Sequence, residues 1–178
     1  VDPALLATLP RREFRAGLYE VVKYGVIASR PLFDQVSAHL SPLFARDASV
    51  LVPVIAECCR IKGDVVEKDE RESGPRRALN FGHTLGHALE AVTKYRRFRH
   101  GEAVAHGMVV AAELAVMRGA LAERDRKALI DLIASLGPLH ELLPDLPCVG
   151  EVESLEQGVQ LVVGRRHDRL ASAEGPCS

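Results

Sequence analysis

Apolar residues recur along this chain at helical spacing, and helices account for every periodic segment. Over residues 11–27 the packing stripe is Phe14, Leu18, Val21 and Gly25. Glu13, Ala16, Gly17, Glu20, Lys23 and Tyr24 occupy the opposite face. A shorter amphipathic piece over 31–46 carries Leu32, Phe33, Val36, Leu40 and Leu43, and places His39 at the surface. A long helix is predicted over 48–71, with the inward stripe Leu51, Ile55, Cys58, Lys62 and Val65. The lysine in that stripe either carries its ammonium out to water along an apolar stem or meets an anion in a polar cavity. Ser73-Gly74-Pro75 marks a turn. A helix over 83–94 packs through Leu85, Ala88, Leu89 and Val92. A basic linker with Lys94, Arg96, Arg97 and Arg99 then leads to a helix over 102–118, whose scarcity of charge marks it as buried and central. A last helix over 122–135, with Leu129, Ile130, Leu132 and Ile133, closes what should be an all-α bundle.

The 178 residues, 47% of them hydrophobic, suffice for one domain with its own core. A net charge of −1 and aromatics at 4% without tryptophan argue against a nucleic-acid surface. No apolar run is long enough for a membrane span. Cys58, Cys59, Cys148 and Cys177 show no CxxC spacing, which favours a reduced, cytoplasmic chain. The first residue is Val1 and a motif follows almost at once, so a fragment or excised domain is expected.

Chemistry concentrates between residues 76 and 108. His83, His87 and Glu90 stand at i, i+4 and i+7, which gathers them within a sector of roughly 60° on a helix. Histidines four apart on one face suit a divalent cation. The same spacing also occurs where two helix histidines are satisfied by their neighbours. Gly82 and Gly86 flank this face and leave room for another backbone or for a ligand. On the helix over 11–27, Glu20 and Lys23 share a face with small residues, an arrangement equally open to a solvated charged surface.

The strings LNFGHTLGHALE (79–90) and HGEAVAHGM (100–108) resemble the metal-binding core of the 3-dehydroquinate synthase family. LPxxEFxxGxxEVVKYG (9–25) resembles the segment that joins that family's nucleotide and metal domains, and CRIKGDVVEKDERESG (59–74) resembles a substrate-binding segment. The resemblance implies a helical C-terminal domain over 1–143, which works with an N-terminal Rossmann-like NAD domain that this chain lacks. It implies Glu20, His83 and His100 as ligands of Zn2+ or Co2+. Lys23, Lys62, Arg76, Asn80 and His87 become substrate contacts, with Lys23 and His87 also catalytic. It further implies Thr8, Leu9 and Glu13 near the NAD site. His106 is expected to be structural.

The family reaction, a carbon–oxygen lyase step of the shikimate pathway, converts 3-deoxy-D-arabino-heptulosonate 7-phosphate to 3-dehydroquinate and phosphate. Within it, Lys62 and Arg76 suit the carboxylate, Asn80 and His87 the phosphate, and Lys23 the ring hydroxyls. A cytoplasmic homodimer is implied for the full-length enzyme, and the isolated chain is expected to be inactive. The resemblance ends near Leu143. Over 144–178 the chain diverges: residues 162–168 read VVGRRHD, and Arg165–Arg166 are the candidates for the place of a family Asp-Lys-Lys motif. Three other functions remain open: another sugar phosphate cyclase of the 2-deoxy-scyllo-inosose or valiolone type, a metal-dependent alcohol dehydrogenase, or a fragment that only binds zinc or a partner.

Overall fold

The computed structural model describes residues 2–70 and 74–139. The tail expected from residue 144 onward, with Cys148, Cys177 and Arg165–Arg166, lies outside these residues. A 3-10 turn over Pro3–Thr8 leads into α1 (Arg11–Ala28), α2 (Arg30–Ala38), α3 (Leu40–Phe44) and α4 (Ala48–Lys68). A second 3-10 turn (Pro75–Asn80) precedes α5 (His83–Val92), α6 (His100–Met117) and α7 (Glu123–Leu136). Every described element is helical, as the periodicity requires. No described helix is long and apolar enough to cross a membrane.

Local chemistry sets several of the boundaries. The Ser29 hydroxyl accepts from the Leu32 N–H and caps α2, with Pro31 in its first turn. The Asp47 carboxylate accepts from the Ser49 N–H and caps α4. Gly82 starts α5 at φ +81°, a conformation that favours glycine, and Glu123 and Asp125 place negative charge in the first turn of α7.

Four expectations need correcting. The piece predicted over 31–46 is two helices, because the chain breaks at His39, whose φ of −123° and ψ of 33° leave the helical range. The α4 stripe is out of phase. Leu51, Val54, Ile61 and Val65 are buried and Lys62 is exposed, so the helix turns its charged side chain to water instead of desolvating it. The charged face of α1 is covered as well: Ala16 and Lys23 are buried, because α6 packs there. Finally, Val92 is half exposed; α5 buries Leu89 as expected, and Gly86 and Glu90 with it.

The core forms where α1 meets α2, α4, α6 and α7. Tyr19, Val22, Leu32, Val36, Leu43, Val54 and Met108 are almost fully enclosed there. A smaller cluster of Leu89, Phe98 and Ala103 lies between α5, the linker and α6. As expected, α6 is central, buried along Gly101 to Met108 and packed on α1, α5 and α7.

Glycine brings these helices unusually close. A Cβ on Gly101 would stand 1.9 Å from the Ala16 carbonyl oxygen of α1, and one on Gly107 would stand 1.9 Å from the Gly82 carbonyl oxygen. At Gly86 a Cβ would meet the Val104 backbone at 3.2 Å. The room beside Gly82 and Gly86 is therefore filled by another backbone, that of α6.

Candidate metal centre

The backbone contacts at Gly101, Gly82 and Gly107 bring three side chains from three helices together. Glu20 lies one turn beyond Ala16 on α1, His83 begins α5 and His100 begins α6. Their potential ligand atoms all lie within 4.8 Å of one another. The His83 and His100 rings are 5.1 Å apart between centroids. His87 joins the cluster, 5.3 Å from His83 and 5.9 Å from His100, and is itself exposed.

Hydrogen bonding determines which atoms face inward. His83 Nδ1 lies 3.3 Å from the Phe81 carbonyl oxygen, which can only accept, so Nδ1 carries the proton and Nε2 keeps its lone pair. Burial pushes the His83 imidazole below its ordinary pKa and the nearby Lys23 ammonium adds to this, which favours the neutral form that can coordinate a cation. His100 turns Nδ1 to the Glu90 carboxylate and Nε2 towards Glu20 Oε1, 3.9 Å away. The buried Lys23 donates to Glu20 Oε2 at 2.6 Å. That leaves Glu20 Oε1 enclosed without a hydrogen-bond partner.

Two imidazole nitrogens and an orphaned carboxylate oxygen form a donor set suited to zinc or cobalt. Three protein ligands would leave positions for substrate oxygens. A second trio, His87, Glu90 and His100, also lies within 4.8 Å and shares His100 with the first.

Other expected site residues occupy neighbouring elements. Lys62 is exposed on α4. Arg76 is half-buried on the 3-10 turn that packs against α1 and α4, and Asn80 is exposed at the end of that turn. Asp69 organises this turn, its Oδ2 accepting from the N–H groups of Gly74 and Arg76 at 2.8 and 3.0 Å. The Arg76 guanidinium donates to the Glu70 carbonyl at 2.7 Å. Thr8 is exposed, while the Leu9 carbonyl accepts from Arg46. Glu13 pairs with Arg99 at 2.5 Å. His106 is buried on α6 with its ring edge against Phe98, apart from both donor sets.

Sequence reasoning missed a supporting ion cluster. Glu102 is fully buried and accepts from Arg12 Nε and Nη2 at 2.8 and 2.6 Å, from Arg15 at 3.1 Å and from the Arg99 N–H at 3.0 Å. Burial alone would raise its carboxyl, but the bonds from Arg12, the Arg99 backbone and Arg15 outweigh it and hold the pKa at about 2. The only sequence signal was an acid at the third position of a helix, where it can accept from the N–H preceding the first turn. Because the cluster ties α1 to the start of α6, Glu102→Ala should lower unfolding free energy by about 3 kcal/mol. That is the low end for breaking a buried pair, since Arg12 still reaches solvent. Urea unfolding of the two proteins measures it, and a loss below 1 kcal/mol would show the cluster to be marginal.

Residues 17–147 match the family described as 3-dehydroquinate synthase C-terminal. The chain belongs to this family. It is 54% identical over 136 residues to the 3-dehydroquinate synthase of Geobacter metallireducens, covering 76% of this chain and 38% of the relative. It is 42% identical over 165 residues to that of Desulforamulus reducens, covering 93% and 46%. The chain thus spans less than half the length of these curated relatives. Among solved structures it resembles ValA, the 2-epi-5-epi-valiolone synthase of Streptomyces hygroscopicus with NAD+ and Zn2+ bound. The TM-score is 0.74 and the identity 26%, over 93% of this chain and 45% of that one. It also resembles a 2-deoxy-scyllo-inosose synthase complexed with carbaglucose-6-phosphate, NAD+ and Co2+, with a TM-score of 0.66 and 28% identity over 90% and 42%. The all-α fold and the enzyme family expected from the motifs hold.

Proposed function

We propose that this chain is the metal- and substrate-binding part of a 3-dehydroquinate synthase, with Glu20, His83 and His100 holding Zn2+ or Co2+. The observation that carries this is the convergence of those three donors around the unpartnered Glu20 Oε1, in a chain of this family. The activity would be phosphate elimination and ring closure on 3-deoxy-D-arabino-heptulosonate 7-phosphate, a carbon–oxygen lyase reaction, in the cytoplasm. A metal ion at the three donors supplies Lewis acidity towards a substrate hydroxyl.

The chain's own residues do the rest of what is proposed here. Lys23 holds Glu20 Oε2, so that Oε1 faces the other donors, and its ammonium is placed to bind a hydroxyl beside them. Arg76, fixed through its N–H to Asp69, and Lys62 on the adjacent helix offer two cations to a carboxylate. Asn80 and the exposed imidazole of His87 take the phosphate, where His87 can give up or accept a proton at Nδ1 or Nε2. Thr8, Leu9 and Glu13 are assigned to the edge of an NAD site by family resemblance alone, since Glu13 is already engaged by Arg99. The nicotinamide site and a homodimer belong to the complete enzyme.

The solved neighbours, a valiolone and an inosose synthase, motivate a second function, that of another sugar phosphate cyclase. Their 26% and 28% identities fall below the 54% and 42% of the dehydroquinate synthases, which favours the first.

A phosphate-release assay with zinc, NAD and the heptulosonate phosphate tests the assignment. The chain alone should be inactive, because holding reactants together is worth about 7–11 kcal/mol in favourable cases and the proposed nicotinamide site lies outside it. Fusion to the N-terminal part of the Geobacter metallireducens relative should restore release. In that fusion Lys62→Met should lower kcat/KM at least about tenfold, the loss of one hydrogen bond to a charged group. Unchanged kcat/KM rejects Lys62, and release by the chain alone rejects the division of labour.

A further inference from the structure

Glu90 is buried on α5, an unfavourable place for a carboxylate without compensation. Its two side-chain oxygens lie 3.3 and 3.2 Å from His100 Nδ1. Among the described residues its only ion-pair partner is that imidazole, on the next helix. Among the described residues, the charge on Glu90 is therefore balanced through His100. His100 itself is about half exposed; its ring stands beside those of His83 and His87, and its Nδ1 is turned to Glu90. With Nδ1–H donated to the carboxylate, Nε2 is the atom left to face Glu20 and His83.

We infer that Glu90 is a positioning residue: it sets the tautomer and orientation of His100 and raises the basicity of Nε2 towards a divalent cation held by Glu20, His83 and His100. This rests on the metal site proposed above and adds a residue to it. A carboxylate behind a coordinating imidazole acts in this way generally. The alternative geometry, in which Glu90 itself coordinates together with His87 and His100, would take the same carboxylate away from Nδ1. Both Glu90 oxygens lie within hydrogen-bond distance of Nδ1, which favours the supporting role.

The test uses the full 178-residue chain and its Glu90→Gln, Glu90→Ala and His83→Ala variants, with zinc affinity read by chelator competition and the Co2+ visible absorption band recorded for each. Glu90→Gln keeps an oxygen able to accept from Nδ1 but loses the charge, and should weaken zinc about tenfold. Glu90→Ala should weaken it about a hundredfold and shift the Co2+ band, the range typical of such partners. Circular dichroism checks that the helices persist, and if Glu90→Ala does not fold, the near-isosteric Glu90→Gln decides. Wild-type affinity in Glu90→Gln, or equal losses in both variants, overturns the inference. So does a pattern in which Glu90→Ala abolishes binding and His83→Ala keeps it, because the cation would then sit on His87, Glu90 and His100. A wild-type chain that binds no zinc removes the metal site and this inference together. A wild-type chain that binds while Glu90→Gln is unaffected removes the inference alone.

Discussion

Alanine at position 101 is expected to destabilise this domain by about 3 kcal/mol, at the upper end of ordinary overpacking, and to weaken zinc binding with it. The added Cβ would stand 1.9 Å from the Ala16 carbonyl oxygen and 2.7 Å from its carbon. Carbon and oxygen normally approach no closer than about 3.3 Å, even in the tightest helix contacts. Neither partner is a flexible side chain, so the two helices themselves must separate by more than an ångström. Glu20 travels with α1 and His100 with α6, so the donor atoms part. Guanidinium unfolding and chelator competition on Gly101→Ala measure both effects. A fold and a zinc affinity equal to wild type would mean that α1 and α6 are not locked by this contact. Gly17, which has open space around it, supplies the control, and Gly17→Ala should leave zinc affinity unchanged and raise stability by no more than about 1 kcal/mol, the helix-propensity gain.

The largest change in metal affinity should come from His83→Ala. Structural zinc sites are worth roughly 10–16 kcal/mol, which over four ligands puts one imidazole at about 3 kcal/mol, or on the order of a hundredfold or more in Kd. His83 is the sharpest choice, because burial keeps it neutral and its Nδ1 is already committed to Phe81. His39 is exposed at the α2–α3 junction, and His39→Ala should bind zinc as wild type does. Equal affinity in the two variants would remove His83 from the metal set. One zinc per chain, measured by elemental analysis of the loaded protein, is the accompanying expectation.

Much of this arrangement could be read without coordinates, for identifiable reasons. The α1 span of 11–27 falls one residue short of Arg11–Ala28, because Pro10 marks one end and a sustained apolar stripe the other. Glu20, His83 and His100 were named from motif wording, and the fold brings them together. Phase was less visible. The sets 51-55-58-62-65 and 51-54-58-61-65 both fit a helix, and only the neighbours on one side decide that Lys62 faces water. The sequence pattern predicts the start of α6 at 102, two residues later than His100. Glu102 accepts from the Arg99 N–H and extends the first turn back to include His100, an effect that depends on a side chain bonding backwards. Glu90 was seen on the histidine face, yet its partner lies on another helix, and no spacing within α5 could have revealed it.

The glycine contacts also bear on how this domain could be re-engineered. Where α1, α5 and α6 touch through main chain at residues 16, 82, 101 and 107, the spacing of these helices is set by backbone contact. Drift in the greasy residues elsewhere can then proceed without detuning the cluster. α7 reaches the bundle through Leu129, Leu132, Ile133 and Leu136, packing on α1 and α6 with ordinary side chains. That helix is the natural place for a protein engineer to graft thermostabilising substitutions, because it can be repacked while the three-helix frame around Glu20, His83 and His100 keeps its gauge.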